Sequence, residues 1–150
     1  MKIVDRFAPS QPENKLQSQA ALAAALVHDV GHGPFSHAFE SVGDCFDWKL
    51  VSEHEAHSEA LIRSTEKGSI GEILNTSADG FADMVADIVK GGPATVYRSV
   101  VSSQFDADRL DYVRRDRLMA GTHLAGVDFE WLLANLEIGD LPTDDNGIRR

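Results

Sequence analysis

Cysteine and long apolar runs are scarce in this sequence, and both absences restrict where the protein can work. Cys45 is the one cysteine among 150 residues, so no intrachain disulfide can form and a reducing cytoplasm is the expected location. No apolar run approaches the roughly 20 residues that cross a bilayer, and residues 1–10 lack the apolar stretch of a signal peptide. We therefore expect a cytoplasmic protein without a membrane partner.

Basic residues are also scarce. The 14 lysines and arginines face 24 aspartates and glutamates, which gives a formal net charge of -10. Broad binding to nucleic acid or to an anionic membrane needs a basic surface, so this charge argues against nucleic acid as a partner. An anionic substrate would need cations gathered locally at its site. The hydrophobic share of 43% is nevertheless enough to build the core of one domain.

The chain divides by pattern into three parts. Residues 1–14 contain two prolines and no periodicity, which predicts an irregular arm. Residues 15–136 form the predicted core. Residues 137–150 predict the start of a short β-hairpin with an Asn-Gly turn, and because the sequence stops inside the second strand, we expect the chain to be a piece of something longer.

Helical patterns fill the predicted core. Helices are predicted over about 15–29, from Pro34 through Glu40, from a Ser52–Glu55 capping box to Ser64, over 81–89, 96–103 and 106–118, and from an Asp128 cap to Leu136. The apolar residues between Phe81 and Val89 recur at amphipathic spacing, and this segment is assigned to the core alone. The predicted fold class is therefore all-α.

Three histidines surround a glycine-rich turn between His28 and His37. His28 and His32 are four apart, so they project to one side if helical geometry persists, with Asp29 beside them. Imidazoles with carboxylates suit Mn, Fe, Ni or Zn better than Ca, which prefers an all-oxygen shell. A lone His-Asp pair is more often a structural histidine held by its neighbour. Three histidines in ten residues are hard to explain as packing.

A second charged run extends from Ser103 to Asp116. On a helix, Asp108, Tyr112 and Asp116 would line one face at positions i, i+4 and i+8, with Arg109 near enough to meet an anion. The alternative for such a run is a solvated helix covered by salt bridges. The pattern alone leaves both interpretations open.

Together, the two runs resemble the HD-domain phosphohydrolases, and within them the dNTP triphosphohydrolases related to the sterile-alpha-motif-and-HD-domain enzyme. The resemblance covers residues 20–65 and 98–138 and implies an HD-domain helical bundle. It also implies cleavage of a deoxynucleoside triphosphate to deoxynucleoside and triphosphate, with a divalent metal (Mn, Fe, Ni, Zn or Mg) as cofactor. Because apolar core surface would stay uncovered in a fragment, we expect a homo-oligomer.

The resemblance also assigns roles to individual residues. The implied metal ligands are His28, Asp29 and Asp108, and the implied catalytic residues are His32, His37, Glu40 and His54. His37 would protonate the leaving 5′-oxygen while Glu40 holds its imidazole, and His32 would help to spread phosphate charge. The His54-Glu55 pair resembles another family motif, although Glu55 also has a role in the predicted capping box.

Three residues of the second run are implied to bind substrate: Arg109, Tyr112 and Asp116. Arg109 occupies a phosphate-binding position. The ring of Tyr112 against the sugar would leave little room for a 2′-hydroxyl, and Asp116 could hold the 3′-hydroxyl, which together would favour deoxyribose. His57 and His123 match no motif position and are interpreted as surface or core residues.

The resemblance has one gap, because family members bind their metal through four side chains and one is an upstream histidine. No histidine precedes His28 here, and residues 6–10 read RFAPS where the family has an Arg-Phe-x-His-Ser-type segment. Either that ligand was removed by truncation or the protein does without it. We therefore expect weak metal binding and slow hydrolysis by this chain.

Two other functions stay open at this point. A non-catalytic HD module that binds nucleotides or mediates oligomerisation would explain the incomplete ligand set. A phosphodiesterase or guanosine-tetraphosphate hydrolase fits less well, because the run from Asp108 to Asp116 carries the dNTPase-like pattern.

Overall fold

The computed structural model describes residues 12–48, 53–91, 95–103, 105–121 and 126–137, and within them every regular element is an α-helix, as predicted. The helices of this part of the chain are α1 (Pro12–Val27), α2 (His37–Cys45), α3 (His54–Arg63), α4 (Ile70–Asn75), α5 (Phe81–Lys90), α6 (Val96–Ser99), α7 (Ala107–Ala120) and α8 (Phe129–Asn135). Beyond Glu137, the predicted hairpin lies outside the described residues.

Helix α5 is the centre of the core, and it packs mainly against α1 and α3. The buried residues of this core are Ala20 and Ala24 from α1, Ile62 from α3, Phe81, Val85 and Ala86 from α5, and Val101. The alanines of α1 let its backbone come close to α5, because a methyl group takes little space. The prediction of an amphipathic core helix over residues 81–89 is confirmed.

A surface network also joins α3 to α5. The guanidinium of Arg63 donates to the carboxylates of Asp83 and Asp87 on α5 and to Glu59 on its own helix. Lys90 reaches the same glutamate at 3.1 Å. Hydrogen bonds from Lys90 and Arg63 lower the pKa of Glu59 below its ordinary value. Exposed ion pairs contribute little each, so the network orients α3 on α5 while the apolar contacts supply most of the stability.

Side-chain caps fix several helix starts. Asp128 accepts the backbone N–H of Trp131 at 2.9 Å, which confirms the predicted cap of α8. Ser52 of the predicted Ser52–Glu55 capping box lies outside the described residues, and the N-cap of α3 is Glu53, which makes no side-chain cap bond. A Ser-x-x-Glu pattern instead starts α4, where Ser69 accepts the N–H of Glu72.

Other helix limits differ from the prediction by a few residues. Helix α1 begins at Pro12 rather than near residue 15, and proline suits a first turn, where its missing N–H costs nothing. Helix α6 ends at Ser99 instead of Ser103. Cys45 closes α2 as an exposed free thiol, and none of the described helices is long and apolar enough to cross a membrane.

The start of α2 also differs from the prediction, and the backbone in front of it is not helical. Pro34 was expected in its first turn, yet the helix begins at His37. Phe35 and Ser36 intervene with φ angles of 66° and 50°, in the left-handed region that residues other than glycine rarely adopt. The chain therefore makes a tight, non-helical turn just before His37.

The core contacts predict at which positions a shortened side chain lowers the stability of the fold. Ile62 is fully buried, so Ile62→Ala should lower the free energy of unfolding by about 2–5 kcal/mol. Ile73→Ala is the matched control, because that side chain is 62% exposed and its loss should change stability by less than about 0.5 kcal/mol. Urea unfolding followed by circular dichroism measures both, and equal effects would contradict this assignment of the core.

Candidate functional site

Two groups of polar side chains meet near the C-terminal end of α1. The first, called here the carboxylate cluster, consists of His28, Asp29 and Asp108, whose ligand atoms all lie within 4.8 Å of one another. His28 and Asp29 follow directly after α1, whereas Asp108 lies in the first turn of α7. The fold therefore brings residues of the two charged sequence runs, which begin at His28 and at Ser103, close together in space.

Local hydrogen bonds orient the members of the carboxylate cluster. His28 Nδ1 lies 3.2 Å from the carbonyl of Ala25, and since a carbonyl oxygen only accepts, Nδ1 carries the proton and Nε2 keeps its lone pair. On α7, the buried carboxylate of Asp106 accepts the backbone N–H groups of Ser103 and Arg109 at 3.3 and 2.8 Å. This cap fixes the turn that carries Asp108.

The carboxylate cluster fits a divalent cation by donor type and by spacing. His28 Nε2 lies 3.3 Å from Asp29 Oδ1, and two ligands bound to one ion at about 2.0–2.2 Å are separated by roughly 3.0–3.5 Å. One imidazole and two carboxylates form a borderline donor set. The side chain of Asp29 is 53% exposed, so the cluster is open to solvent at this residue.

The second group, called here the histidine–glutamate cluster, consists of His32, His37, Glu40 and His54. Glu40 is its centre. His37 Nδ1 donates to Glu40 Oε2 at 2.9 Å, while the Nδ1 atoms of His32 and His54 lie 2.9 and 2.7 Å from Oε1. The contact of His37 with Glu40 is a hydrogen bond, whereas Glu40 Oε1 lies close to two imidazole nitrogens without bonding to either. Three imidazoles and a carboxylate could therefore handle a proton or hold a divalent cation.

Two buried atoms of this second cluster lack an aligned partner. Within the described part of the chain, His32 Nδ1 and Glu40 Oε1 make no hydrogen bond of acceptable geometry, despite being 2.9 Å apart. Unpaired buried polar atoms are costly and mark sites that bind something or rearrange. Catalytic hydrogen bonds often align only when substrate is bound.

The charge state of the second cluster depends on Glu40, whose side chain is only 12% exposed. The hydrogen bond from His37 is the main cause that lowers the pKa of Glu40 below its ordinary value; burial opposes it as the next largest effect, and the charges of His54 and His32 lower the pKa further. Glu40 therefore stays ionised at neutral pH. It can hold an imidazole and stabilise its protonated form.

His32 connects the two clusters. Its Nε2 atom lies 3.6 Å from Asp29 Oδ1, and its Nδ1 faces Glu40. Its ring stacks on that of His54, with centroids 3.9 Å apart and planes inclined by 15°. The ring of His37 is instead 76% exposed, so its Nε2 can face solvent or substrate.

The proposed substrate residues lie on α7 together with Asp108. The side chain of Arg109 is half exposed, with Nε 3.5 Å from Asp106 Oδ2, and Tyr112 is 40% exposed. Asp116, also exposed, follows one turn later. Their contacts with a sugar or phosphate remain predictions, and a neighbouring pair, Asp111 with Arg115 at 3.0 Å, shows that part of this helix is the salt-bridged surface considered as the alternative.

Sequence reasoning did not identify the stacking of His54 on His32 or the central place of Glu40 among three histidines. The three-residue spacing of His37 and Glu40 indicates the contact between these two residues, but not the contacts of Glu40 with His32 and His54. His54 comes from α3 and enters through tertiary packing. His57 is half-buried on α3, and His123 lies outside the described residues.

Comparison with known proteins supports the resemblance. The sequence model of the HD domain family matches residues 1–94. The protein YwfO of Bacillus subtilis is 34% identical over 138 residues, covering 88% of this chain and 29% of the relative. MG461 of Mycoplasma genitalium is 30% identical over 131 residues, covering 85% and 31%. A Dictyostelium discoideum protein named deoxynucleoside triphosphate triphosphohydrolase SAMHD1 homolog is 29% identical over 141 residues, which cover 88% of this chain and 27% of that relative. The chain thus spans less than a third of the length of these relatives.

The lowered pKa of Glu40 predicts a pH dependence of stability. A carboxyl group whose folded pKa is depressed stabilises the fold above its unfolded pKa, and this contribution is lost as pH falls through the folded value. The wild type should therefore lose stability below about pH 4.5, and Glu40→Gln should show a shallower loss over that range. Urea unfolding from pH 3 to 7 measures this. Glu66→Gln, the same charge change at an exposed site, should keep the wild-type slope, and identical slopes in both variants would contradict the prediction.

Proposed function

The chain belongs to the HD-domain family, and from that premise we propose that it is a metal-dependent phosphohydrolase that cleaves deoxynucleoside triphosphates to deoxynucleoside and triphosphate. The observation that carries the proposal is the convergence of His28 and Asp29 with Asp108, 79 residues further along the chain. The carboxylates of Asp29 and Asp108 repel each other at this distance, and a bound cation would offset that repulsion.

The metal is assigned to the carboxylate cluster. A divalent ion held by His28, Asp29 and Asp108 would supply Lewis acidity to the α-phosphate and to the attacking water. The protein's own contribution is the orientation of these ligands. The Ala25 carbonyl holds the His28 ring, and the Asp106 cap holds the turn of Asp108.

Proton delivery is assigned to His37. Attack of water on the α-phosphorus forms one P–O bond and breaks the bond to the 5′-oxygen, which must then gain a proton. His37 Nδ1 is held by Glu40 at 2.9 Å, so its exposed Nε2 can carry that proton toward the leaving oxygen. His32 and Arg109 would balance the negative charge of the phosphates.

The choice of a deoxynucleotide rests on two supports. The Dictyostelium relative carries a deoxynucleoside triphosphate triphosphohydrolase name at 29% identity. Tyr112 and Asp116 follow Asp108 at four-residue intervals on α7, so a sugar and a phosphate chain could contact one helix. His54, beside His32, completes the proposed catalytic group.

A cytoplasmic homo-oligomer completes the proposal. The single cysteine suits a reducing compartment. Several large apolar side chains are more than 80% exposed: Leu26, Phe35, Leu118 and Met119. Exposed apolar area of this kind is typical of interaction surfaces, and a second copy of the chain is the proposed partner.

The alternative function is a non-catalytic HD module that binds nucleotides. It is favoured by one observation: residues 6–10 read RFAPS, without the histidine of the family's Arg-Phe-x-His-Ser-type segment. Three ligands can still hold an ion whose remaining positions are filled by water, but with weaker affinity and looser geometry. The two functions differ in whether the nucleotide is cleaved.

The deciding experiment incubates the purified protein with dGTP and excess Mn and identifies the products by anion-exchange chromatography. We expect deoxyguanosine and triphosphate in equal amounts, at a slow rate. Asp108→Ala should abolish release and weaken Mn binding by more than about tenfold, since even outer-sphere partners of metal ligands contribute 10- to 100-fold. Asp111→Ala, on the same helix and 69% exposed, is the control and should keep both properties. Bound but uncleaved dGTP would support the alternative, and release of pyrophosphate or phosphate would refute the proposed reaction.

Sugar discrimination tests the role of Tyr112. If its ring excludes a 2′-hydroxyl, Tyr112→Ala should raise kcat/KM for GTP relative to dGTP by about tenfold or more, the effect of about 1.4 kcal/mol, and should leave Mn affinity unchanged. Steady-state kinetics with both nucleotides measures the ratio. Tyr112→Phe keeps the ring and should retain the wild-type preference. Equal losses for both nucleotides in Tyr112→Ala would show that Tyr112 does not select the sugar.

A further inference from the structure

A buried hydroxyl group on α3 lies behind the site. Ser58 is completely buried, and it ranks with Ile62 and Val85 among the largest fully buried side chains of the described residues. Its Oγ accepts the backbone N–H of Gly31 at 3.0 Å. This bond links α3 to the glycine-rich turn that carries both clusters.

The turn touches the helix backbone at the same place. A Cβ atom added to Gly31 would lie 2.4 Å from the carbonyl oxygen of His54 and 2.4 Å from the nitrogen of Ser58. Such distances exclude any side chain, so only glycine allows this approach. The N–H of Gly31 is partly buried there, and the Ser58 hydroxyl provides its acceptor.

Each end of the Gly31–Ser58 hydrogen bond lies near a member of the histidine–glutamate cluster. Ser58 lies four residues after His54, on the same face of α3, and Gly31 directly precedes His32. The Gly31–Ser58 hydrogen bond therefore lies beside the His32–His54 stack, whose centroids are 3.9 Å apart. A shift of the turn along α3 would change both contacts together.

We propose that Ser58 is a positioning residue of the site: by holding Gly31, it sets His32 flat against His54 so that both imidazoles face Glu40. Without the hydroxyl, the N–H of Gly31 loses its partner and the turn is free to move away from α3. His32 and Asp29 lie on either side of Gly31 in the turn, and Asp29 belongs to the carboxylate cluster. The kinetic consequence rests on the proposed function, whereas the geometric consequence does not.

Ser58→Ala tests the proposal, with Ser69→Ala as the matched control. Ser69 also accepts a backbone N–H, that of Glu72 at 3.1 Å, but it caps α4 outside both clusters. Both variants remove one hydroxyl acceptor and should lose some stability. Only Ser58→Ala should change the imidazole signals of His32 and His54 in proton–nitrogen correlation spectra of the metal-free protein.

The kinetic arm uses dGTP and Mn. We expect kcat for triphosphate release to fall about 10- to 100-fold in Ser58→Ala, the range for lost outer partners. KM should rise by a smaller factor, because His32 faces the phosphates in the proposed site while Arg109, Tyr112 and Asp116 keep their places on α7. Ser69→Ala should keep the wild-type kcat. Ser58→Cys, similar in size but a weak acceptor, should behave like Ser58→Ala and serves where the alanine variant does not fold.

Each outcome decides one question. If the histidine signals of Ser58→Ala and Ser69→Ala both match those of the wild type, Ser58 does not position the cluster. If neither Ser58 variant folds, the residue is required for folding and the proposal is overturned. If the wild type releases no triphosphate, the proposed function fails, while the histidine spectra still test the role of Ser58.

Discussion

The packing of α5 between α1 and α3 is the constraint on which the site depends. Val85 of α5 is fully buried against the alanines of α1 and against Ile62 of α3, so the positions of these two helices are fixed by the same apolar face. The turn after α1 and the first turn of α3 are thereby brought into contact. Neither segment has enough apolar surface of its own to hold the histidines in place. The core therefore determines the geometry of the polar site, and the glycine at the contact allows the closest approach.

The charge of the chain bears on the metal binding proposed for the site. The chain has a formal charge of -10, and the site itself gathers three carboxylates, those of Asp29, Glu40 and Asp108. A triphosphate would be repelled from such a surface. Arg63 and Lys90 pair with carboxylates on α3 and α5, so their charges are largely compensated there. Under the proposed function, Arg109 and a metal ion held by the carboxylate cluster would offset this repulsion, so binding of the triphosphate would depend on the metal.

The sequence predicted the helical class, the core role of residues 81–89 and the meeting of His28, Asp29 and Asp108, because periodicity and motif resemblance carry that information. It did not predict the stacking of His54 on His32, which arises because α1 and α3 both pack on α5 and bring the turn after α1 against α3. The sequence predicts a Ser-x-x-Glu capping box at Ser52, whereas within the described residues this pattern caps α4 at Ser69. A local pattern alone cannot decide between two equivalent matches, and helix ends are therefore the least predictable feature.

The turn before α2 shows where local preference gives way to the site. Pro34 favours a helix start, yet Phe35 and Ser36 adopt left-handed angles that cost on the order of 1–3 kcal/mol each. No apolar burial offsets this cost at Phe35, whose side chain is 90% exposed. The turn places His37 at the start of α2. There Nδ1 of His37 is hydrogen-bonded to Glu40, and the ring is exposed to solvent. Backbone strain that no burial offsets is concentrated at functional sites and switch regions, and here it lies directly before the residue to which proton delivery is assigned in the proposal.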